Sequence, residues 1–256
     1  MRGIVLAAAL GLLGCGPRAL PHGGYATIIQ RPQKPIAPSP QVSQAEWTLS
    51  RERLAHVRAE QPERPYVERV RLAIIDPRSG KEYMARGAVA VSPDRAARML
   101  LLGPGGTTAL DVWVTKERFR FAAPAIQLEK RGGTDPNEAR GLPIGMLRWW
   151  FLSPLGGRLL LGRSNQYESA WLLRDGNATV TVRTDGRRFV AVRREGDAME
   201  GIEWLGRGLV PRAGSRGRYV EATYGLRVEV VVEEVMPDEP DPAAFVDPDS
   251  SGGTSL

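Results

Sequence analysis

The chain has 256 residues, of which 42% are hydrophobic and 25% charged, and its formal net charge is +6. This length fits one domain with a sizeable core once the terminal segments are set aside. The positive charge comes mostly from arginines scattered along the chain, so we expect a solvated surface and no nucleic-acid partner. A single cysteine excludes an intrachain disulfide.

The first sixteen residues are typical of a bacterial lipoprotein precursor. Arg2 precedes an apolar run at 4–13, which is too short to span a bilayer because a spanning helix needs about 20 residues. Leu12-Leu13-Gly14-Cys15 then has the form of a lipobox, in which small Gly14 admits a signal peptidase and the Cys15 thiol accepts a diacylglyceryl group. We predict a signal peptide at 1–14 and lipidation of Cys15. An ordinary secretory leader with an incidental cysteine is the alternative.

The predicted anchor sets the compartment. Several acyl chains, palmitate among them, hold a protein at a membrane, whereas one chain alone binds only marginally. Gly16 stands where an aspartate would favour retention in the inner membrane. We therefore expect a lipid-anchored outer-membrane protein that faces the periplasm and contacts outer-membrane lipid through acylated Cys15.

Proline-rich segments flank the predicted domain. Residues 15–44 contain few large apolar residues, which predicts a flexible and partly extended tether. Residues 237–256 are rich in proline and acidic residues and end in serine and glycine, which predicts a disordered acidic tail. The folded domain is therefore expected at 45–236.

The first half of this domain is predicted to be a short helix followed by an antiparallel meander. Ser50 is the predicted N-cap of a helix at 51–60. Strands alternate with turns that contain glycine and proline, and Leu110, Val112 and Val114 share one face of their strand. The predicted strands lie at 66–75, 82–91, 98–102, 107–115 and 118–122, and a predicted loop at 129–141 follows.

The segment 142–152 changes from strand to helix periodicity, and Met146, Trp149 and Trp150 fall on one helical face. Beyond it the strand pattern returns, with two Asp-Gly pairs that predict hairpin turns. These strands are predicted at 168–174, 178–184, 188–194, 199–205, 217–224 and 226–235. About eleven strands and a central helix predict a mainly β domain with a strongly curved antiparallel sheet.

No catalytic or metal-binding pattern is recognisable in the sequence. Its two histidines are His22, in the predicted tether, and His56, on the predicted helix, and no cysteine–histidine cluster has metal spacing. The glycine-rich run at 103–106 lacks the lysine of a phosphate loop, and no Gly-x-Ser-x-Gly motif occurs. We expect no catalytic residue, no metal, no cofactor and no enzymatic activity, and we rank a hydrolase last.

Three stretches together resemble the LolB family of outer-membrane lipoprotein receptors. The first is Arg98-Met-Leu-Leu-Leu-Gly-Pro-Gly-Gly-Thr-Thr-Ala-Leu110, similar to the family's Arg-Leu-Leu-Leu strand, proline turn and Gly-Ser/Thr restart. The second is Gly141-Leu-Pro-Ile-Gly-Met-Leu-Arg-Trp-Trp150, similar to its Gly-x-Pro-Ile-Pro helix. The third is 218–235, similar to the closing strand pair. The resemblance covers most of residues 45–236.

The resemblance implies an incomplete antiparallel β-barrel folded over one or more helices, with an apolar cavity that receives acyl chains. The candidate cavity residues are then Leu110, Val112, Val114, Met146, Trp149 and Trp150, with plain core packing as the alternative. In receptor members, the loop after the proline carries a protruding leucine that helps to insert cargo into the membrane. Pro104, Gly105 and Gly106 occupy this loop here, and Gly105 stands at the position of the leucine.

Two functions follow from this resemblance. The first is a monomeric, anchored periplasmic lipoprotein that binds lipid or acylated lipoprotein cargo, received from a periplasmic carrier, in protein transport to the outer membrane. The second is an accessory lipoprotein that uses the same fold, with a filled core, as a protein-docking module. A continuous apolar cavity would favour the first function and a sealed core the second.

Overall fold

The computed structural model describes residues 42–77, 79–206, 208–209, 212–237 and 239–250. The predicted signal peptide, Cys15 and the tether up to residue 41 lie outside the described residues. Among the described helices, none combines the length and apolar character needed to cross a membrane.

Helix α1 (Gln44–Ala59) begins earlier than predicted because of a capping box. The Ser43 hydroxyl accepts a hydrogen bond from the Glu46 backbone N–H (3.2 Å), and the Glu46 carboxylate accepts one from the Ser43 backbone N–H (3.0 Å). Ser50, the predicted N-cap, lies in mid-helix and is fully buried. Its backbone carbonyl accepts a hydrogen bond from the Trp171 indole N–H (3.1 Å), so this side of α1 packs on the sheet.

Thirteen strands form one antiparallel sheet. Strands predicted within 66–122 and 168–235 all occur, with their ends shifted by at most a few residues. The bounds are β1 (Tyr66–Ile75), β2 (Glu82–Ser92), β3 (Ala96–Leu102), β4 (Thr108–Val114), β5 (Phe119–Ala123), β6 (Leu128–Gly132), β7 (Arg158–Ser164), β8 (Ser169–Asp175), β9 (Ala178–Thr184), β10 (Arg188–Glu195), β11 (Ala198–Leu205), β12 (Arg216–Glu221) and β13 (Leu226–Met236).

The strand order is β6-β5-β4-β3-β2-β1-β13-β12-β11-β10-β9-β8-β7. The chain builds outward from β1 to the edge at β6, crosses to the opposite edge at β7, and returns by hairpins until β13 pairs with β1. The sheet stays open because β6 and β7 are its two free edges. The expected fold class, a mainly β incomplete antiparallel barrel folded over helices, is confirmed.

The two strands missing from the prediction are the edges, β6 and β7. β6 lies inside the predicted loop 129–141, and its sequence is mostly charged and exposed, with no alternation to reveal it. β7 contains three consecutive leucines, and its pairing with β8 shifts register between Leu159 and Leu161. A bulged or solvated edge loses the period of two on which strand prediction depends.

The predicted helix at 142–152 lies within the connection between the two sheet edges, β6 and β7. Its part Met146–Leu152 is a π-helix, in which every side chain except that of Arg148 is buried. We call residues 142–155 the plug, because their apolar side chains form one core with the inward faces of both halves of the sheet.

Residues 239–250, which we call the strap, differ from the disordered tail expected from composition. They include a short 3-10 helix, Pro242–Phe245. The Trp113 indole N–H donates to the Phe245 carbonyl (3.2 Å), and Arg131 pairs with Asp249 (2.9 Å). The acidic side chains of the strap therefore meet arginines on the outer face of the sheet, which composition alone does not reveal.

Candidate functional site

The six candidate cavity residues come together in one continuous core. Leu110, Val112 and Val114 point inward from β4, and Met146, Trp149 and Trp150 face them from the plug, all less than 8% exposed. Trp150 packs against Trp204 of β11 with 5.7 Å between ring centroids, which ties the plug to the second half of the sheet. Of the six, Trp149 lines a cleft beside the plug and Trp150 lines a separate small pocket. The role of the other four as cavity wall stays a prediction.

Polar contacts to backbone carbonyls hold the plug in place. Arg148 donates from Nε to the Thr115 carbonyl and from Nη2 to the Gly133 carbonyl, both at 3.0 Å. Arg58, at the end of α1, donates to the carbonyls of Leu155 and Gly157, both at 2.7 Å from Nη2. Arginine therefore holds the plug at its middle, through Arg148, and at its C-terminal end, through the Leu155 carbonyl, while apolar packing holds its other side chains.

The turn between β2 and β3 makes a third contact with the plug. The Ser153 hydroxyl donates to the Asp94 carboxylate (2.8 Å), and the Asp94 backbone N–H donates to the Leu152 carbonyl (3.2 Å). Lys116 Nζ lies 2.8 Å from the same carboxylate. These bonds are near the surface, so the C-terminal end of the plug is held by contacts that water can compete for.

A cleft with a volume of about 410 Å³ opens beside the plug. One wall is the plug itself, with Gly145, Arg148 and Trp149. The opposite wall is formed by the ends of β8, β10, β11 and β12 and is mostly charged. Its ionisable side chains are Asp175, Arg193, Glu195, Glu200 and Glu221. This cleft beside the predicted apolar interior is thus lined by charge as well as by apolar atoms.

Glu200 lies deep in this wall, with 15% of its side chain exposed. The Tyr219 hydroxyl donates to it at 2.6 Å, and Arg193 lies 3.8 Å away while pairing more closely with Glu195 (2.7 Å). Burial raises the pKa of Glu200 above its usual value, against the opposing effects of Tyr219 and Arg193. A Cβ at Gly145 would overlap the Glu200 carboxylate, so the plug approaches this wall where only glycine fits.

Arg148 has a different environment from Arg193. Burial lowers the pKa of Arg148 below its usual value. Among the described residues, no carboxylate forms an ion pair with it, and its donors Nε and Nη2 are used on backbone carbonyls. The plug therefore carries a cation into the cleft with no carboxylate at ion-pair distance among the described residues, although Glu200, Glu117 and Glu195 act on it from further away.

The loop at Pro104, Gly105 and Gly106 projects from the end of the β3–β4 hairpin. Gly105 and Gly106 have φ of 76° and 78°, and a Cβ at either position would meet open space. Leu102, next to the loop, is 46% exposed. The loop is therefore open to solvent, but its left-handed backbone disfavours a leucine at position 105. Its equivalence to an insertion loop stays a prediction.

The sequence analysis did not identify Arg148, Arg193 or Glu200 as site residues. Arg148 could have been found, because it is the only charged residue within the otherwise apolar segment 142–152. Arg193 and Glu200 lie on alternating strands that contain many charged residues, and the plug reaches them only through the fold. No local pattern distinguishes them.

No protein-family model matches the sequence, and a comparison with curated proteins gives no match. The structure is similar to a LolA superfamily protein from Nitrosomonas europaea, with a TM-score of 0.49 and 12% identity over 77% of this chain and 98% of that one. It is also similar to a putative outer membrane lipoprotein-sorting protein domain from Vibrio parahaemolyticus, with a TM-score of 0.48 and 11% identity over 77% and 96%. A DUF1329 family protein from Desulfovibrio piger gives a TM-score of 0.40 and 10% identity over 80% and 98%.

Proposed function

We propose that this protein is a non-enzymatic, lipid-anchored periplasmic lipoprotein of the outer membrane that takes up the acyl chain of a lipid or of lipoprotein cargo in its apolar interior. The observation that carries the proposal is the plug. An open sheet with an apolar inner face must be covered, and here the cover is one segment held at its middle and at its C-terminal end by hydrogen bonds. Release of these bonds would let an acyl chain replace the plug against the sheet.

The free energy gained by burying an acyl chain is large enough to replace much of that lost when the plug moves away. Each buried CH₂ group contributes about 0.8 kcal/mol, so a long acyl chain can replace much of the contact that the plug makes. The plug is also a π-helix, a rare form that often marks functional sites. Trp149 Nε1 is buried with no hydrogen-bond partner among the described residues, so that moving the plug breaks no bond there.

A disulfide lock tests the exchange. Asp94→Cys combined with Ser153→Cys joins the plug to the β2–β3 turn at a pair whose side chains already touch. The full-length protein in non-ionic detergent is incubated with phospholipid and analysed by native mass spectrometry. We expect a non-covalently bound lipid on the wild type and on the reduced variant, and none on a variant oxidised before lipid is added.

The reduced form of the double variant is the matched control, because it carries the same substitutions without the bond. Equal lipid occupancy in the oxidised and reduced forms would contradict uptake by plug movement. A wild-type spectrum free of bound lipid would contradict lipid binding altogether.

A second candidate function is the protein-docking module, and one observation favours it. The interior is filled in the described state, since all six candidate cavity residues are buried. A filled core needs no ligand. This alternative predicts that neither form of the lock variant carries lipid and that both fold equally well.

A further inference from the structure

Among the described residues, three charges that line the cleft have no ion-pair partner: Arg148, Asp175 and Glu221. Both carboxylate oxygens of Glu221 accept backbone N–H groups, from Thr223 and Tyr224. The other lining charges are paired, Arg193 with Glu195 and Glu200, and Lys116 with Asp94. This leaves Arg148 on the plug and Asp175 on the opposite wall, one positive and one negative.

These two side chains have different structural roles. Arg148 is partly buried, and its position is set by the Thr115 and Gly133 carbonyls. Asp175 ends β8 and begins the tight turn to β9, with Gly176 at φ of 56°. Asp175 lines the cleft next to Gly156, where the chain leaves the plug for β7. A ligand between them would touch both the plug and the fixed sheet.

We propose that the cleft binds the zwitterionic headgroup of a phospholipid, with its phosphate on Arg148 and its ammonium group on Asp175. This assignment rests on the proposed function, since it names the polar end of the lipid whose acyl chain would enter beside the plug. A guanidinium binds a phosphate through hydrogen bonds in which both donor and acceptor are charged, and it can do so with two parallel N–H groups. The ammonium group fits a carboxylate that has no other cation.

The same contact gives the headgroup a means to release the plug. Arg148 holds the plug through two neutral carbonyl acceptors, and a phosphate in the cleft competes for its N–H groups. A stronger acceptor draws the guanidinium from Thr115 and Gly133 towards the cleft. Binding of the headgroup and loosening of the plug are therefore coupled through one side chain.

Calorimetric titration of the full-length protein in an uncharged detergent tests the site with soluble headgroups. The probes are glycerophosphoethanolamine, glycerophosphoglycerol, which lacks the ammonium group, and inorganic phosphate. The variants are Arg148→Gln, Asp175→Asn and a control, Arg69→Gln, which removes an exposed arginine paired with Glu234 on the outer face. Asp175→Asn retains a residue type that suits a tight turn before glycine, so this variant should fold.

We expect saturable binding of glycerophosphoethanolamine to the wild type and to Arg69→Gln. Arg148→Gln should weaken the binding of every phosphate probe by about tenfold or more. Asp175→Asn should weaken the binding of glycerophosphoethanolamine by several-fold and leave the binding of glycerophosphoglycerol unchanged.

Three results would overturn the assignment. They are no saturable binding to the wild type, a loss of affinity in Arg69→Gln equal to that in Arg148→Gln, and binding of inorganic phosphate as tight as that of the headgroup. The last result would make the cleft a site for free phosphate. Headgroup binding without lipid uptake in the lock experiment would overturn the proposed function and leave the cleft assignment standing. Lipid uptake without headgroup binding would do the reverse.

Discussion

Glu68 is the clearest case of a polar residue that the core does not accommodate. It lies on β1 with Val70 and Leu72 and is fully buried. Neither carboxyl oxygen has a hydrogen-bond partner among the described residues. Burial raises the pKa of Glu68 to about 8, so that the side chain is largely protonated in the folded protein at neutral pH.

Glu68→Gln should make stability less dependent on pH. The folded pKa of about 8 exceeds the ordinary value of 4.5, so the folded state holds a proton that the unfolded state releases between these values. The wild-type free energy of unfolding should therefore be greatest below the ordinary value and fall as pH rises towards about 8. The expected slope is at most about 1.4 kcal/mol per pH unit. Urea unfolding across this range measures it.

The control for this experiment is Glu234→Gln, which neutralises an exposed carboxylate on the outer face. It should keep the wild-type slope, because it leaves the buried carboxyl of Glu68 in place. If Glu68→Gln also keeps the wild-type slope, the carboxyl of Glu68 is not the group that titrates.

At the scale of single residues, the sequence predicts which side chains are buried better than it predicts which residues they contact. Leu110, Val112 and Val114 point inward as their alternation requires. Trp113, between them, points to the opposite face and is also buried, and the strap crosses that face and accepts its indole hydrogen bond. A contact between residues 113 and 245 depends on the whole fold and leaves no mark on either local segment.

Among the elements, the strap shows how charge can order a segment that composition predicts to be disordered. Its aspartates pair with Arg118 and Arg131 on the outer face of the sheet. Such exposed pairs contribute about 1 kcal/mol or less each. The Trp113 hydrogen bond and the cover over its ring therefore contribute much of the strap's attachment.

Deleting residues 239–256 should expose Trp113 without unfolding the sheet. We expect a red shift of tryptophan emission, stronger quenching by iodide or acrylamide, and a small decrease in the midpoint of thermal unfolding. Deletion of 251–256 alone is the matched control and should leave the emission unchanged. Unaltered emission after the longer deletion would mean that the strap does not cover Trp113.

The helices and strands themselves were predictable where periodicity was intact. The hairpins after Asp175 and Asp185 follow their Asp-Gly turns, and the helix within 142–152 was expected from apolar spacing. The spacing could not show that this helix takes the π form. It also could not show that the segment is held by Arg148, because the bonded carbonyls at 115 and 133 lie on separate loops.

In the part of the chain that the structure describes, one open sheet has its two edges connected by residues 133–157, which include the plug. This connection follows from strand order, since the chain must travel from β6 to β7 at the far edge. The crossing segment is therefore placed over the inner face, where apolar side chains are needed. The segment that covers the inner face is also the segment that links the two sheet edges. Moving it away from the interior therefore does not require any strand to separate from its neighbour.

The measurement that tests lipid uptake most directly is photolabelling with a phospholipid that carries a reactive group in its acyl chain. The full-length protein is labelled in detergent, and the modified residues are mapped by peptide mass spectrometry. We predict labels on the inner face, at Leu110, Val112 and Val114, and on the plug, at Met146, Trp149 and Trp150. Labels confined to exposed residues such as Leu102 and Ile126 would contradict an interior that receives an acyl chain.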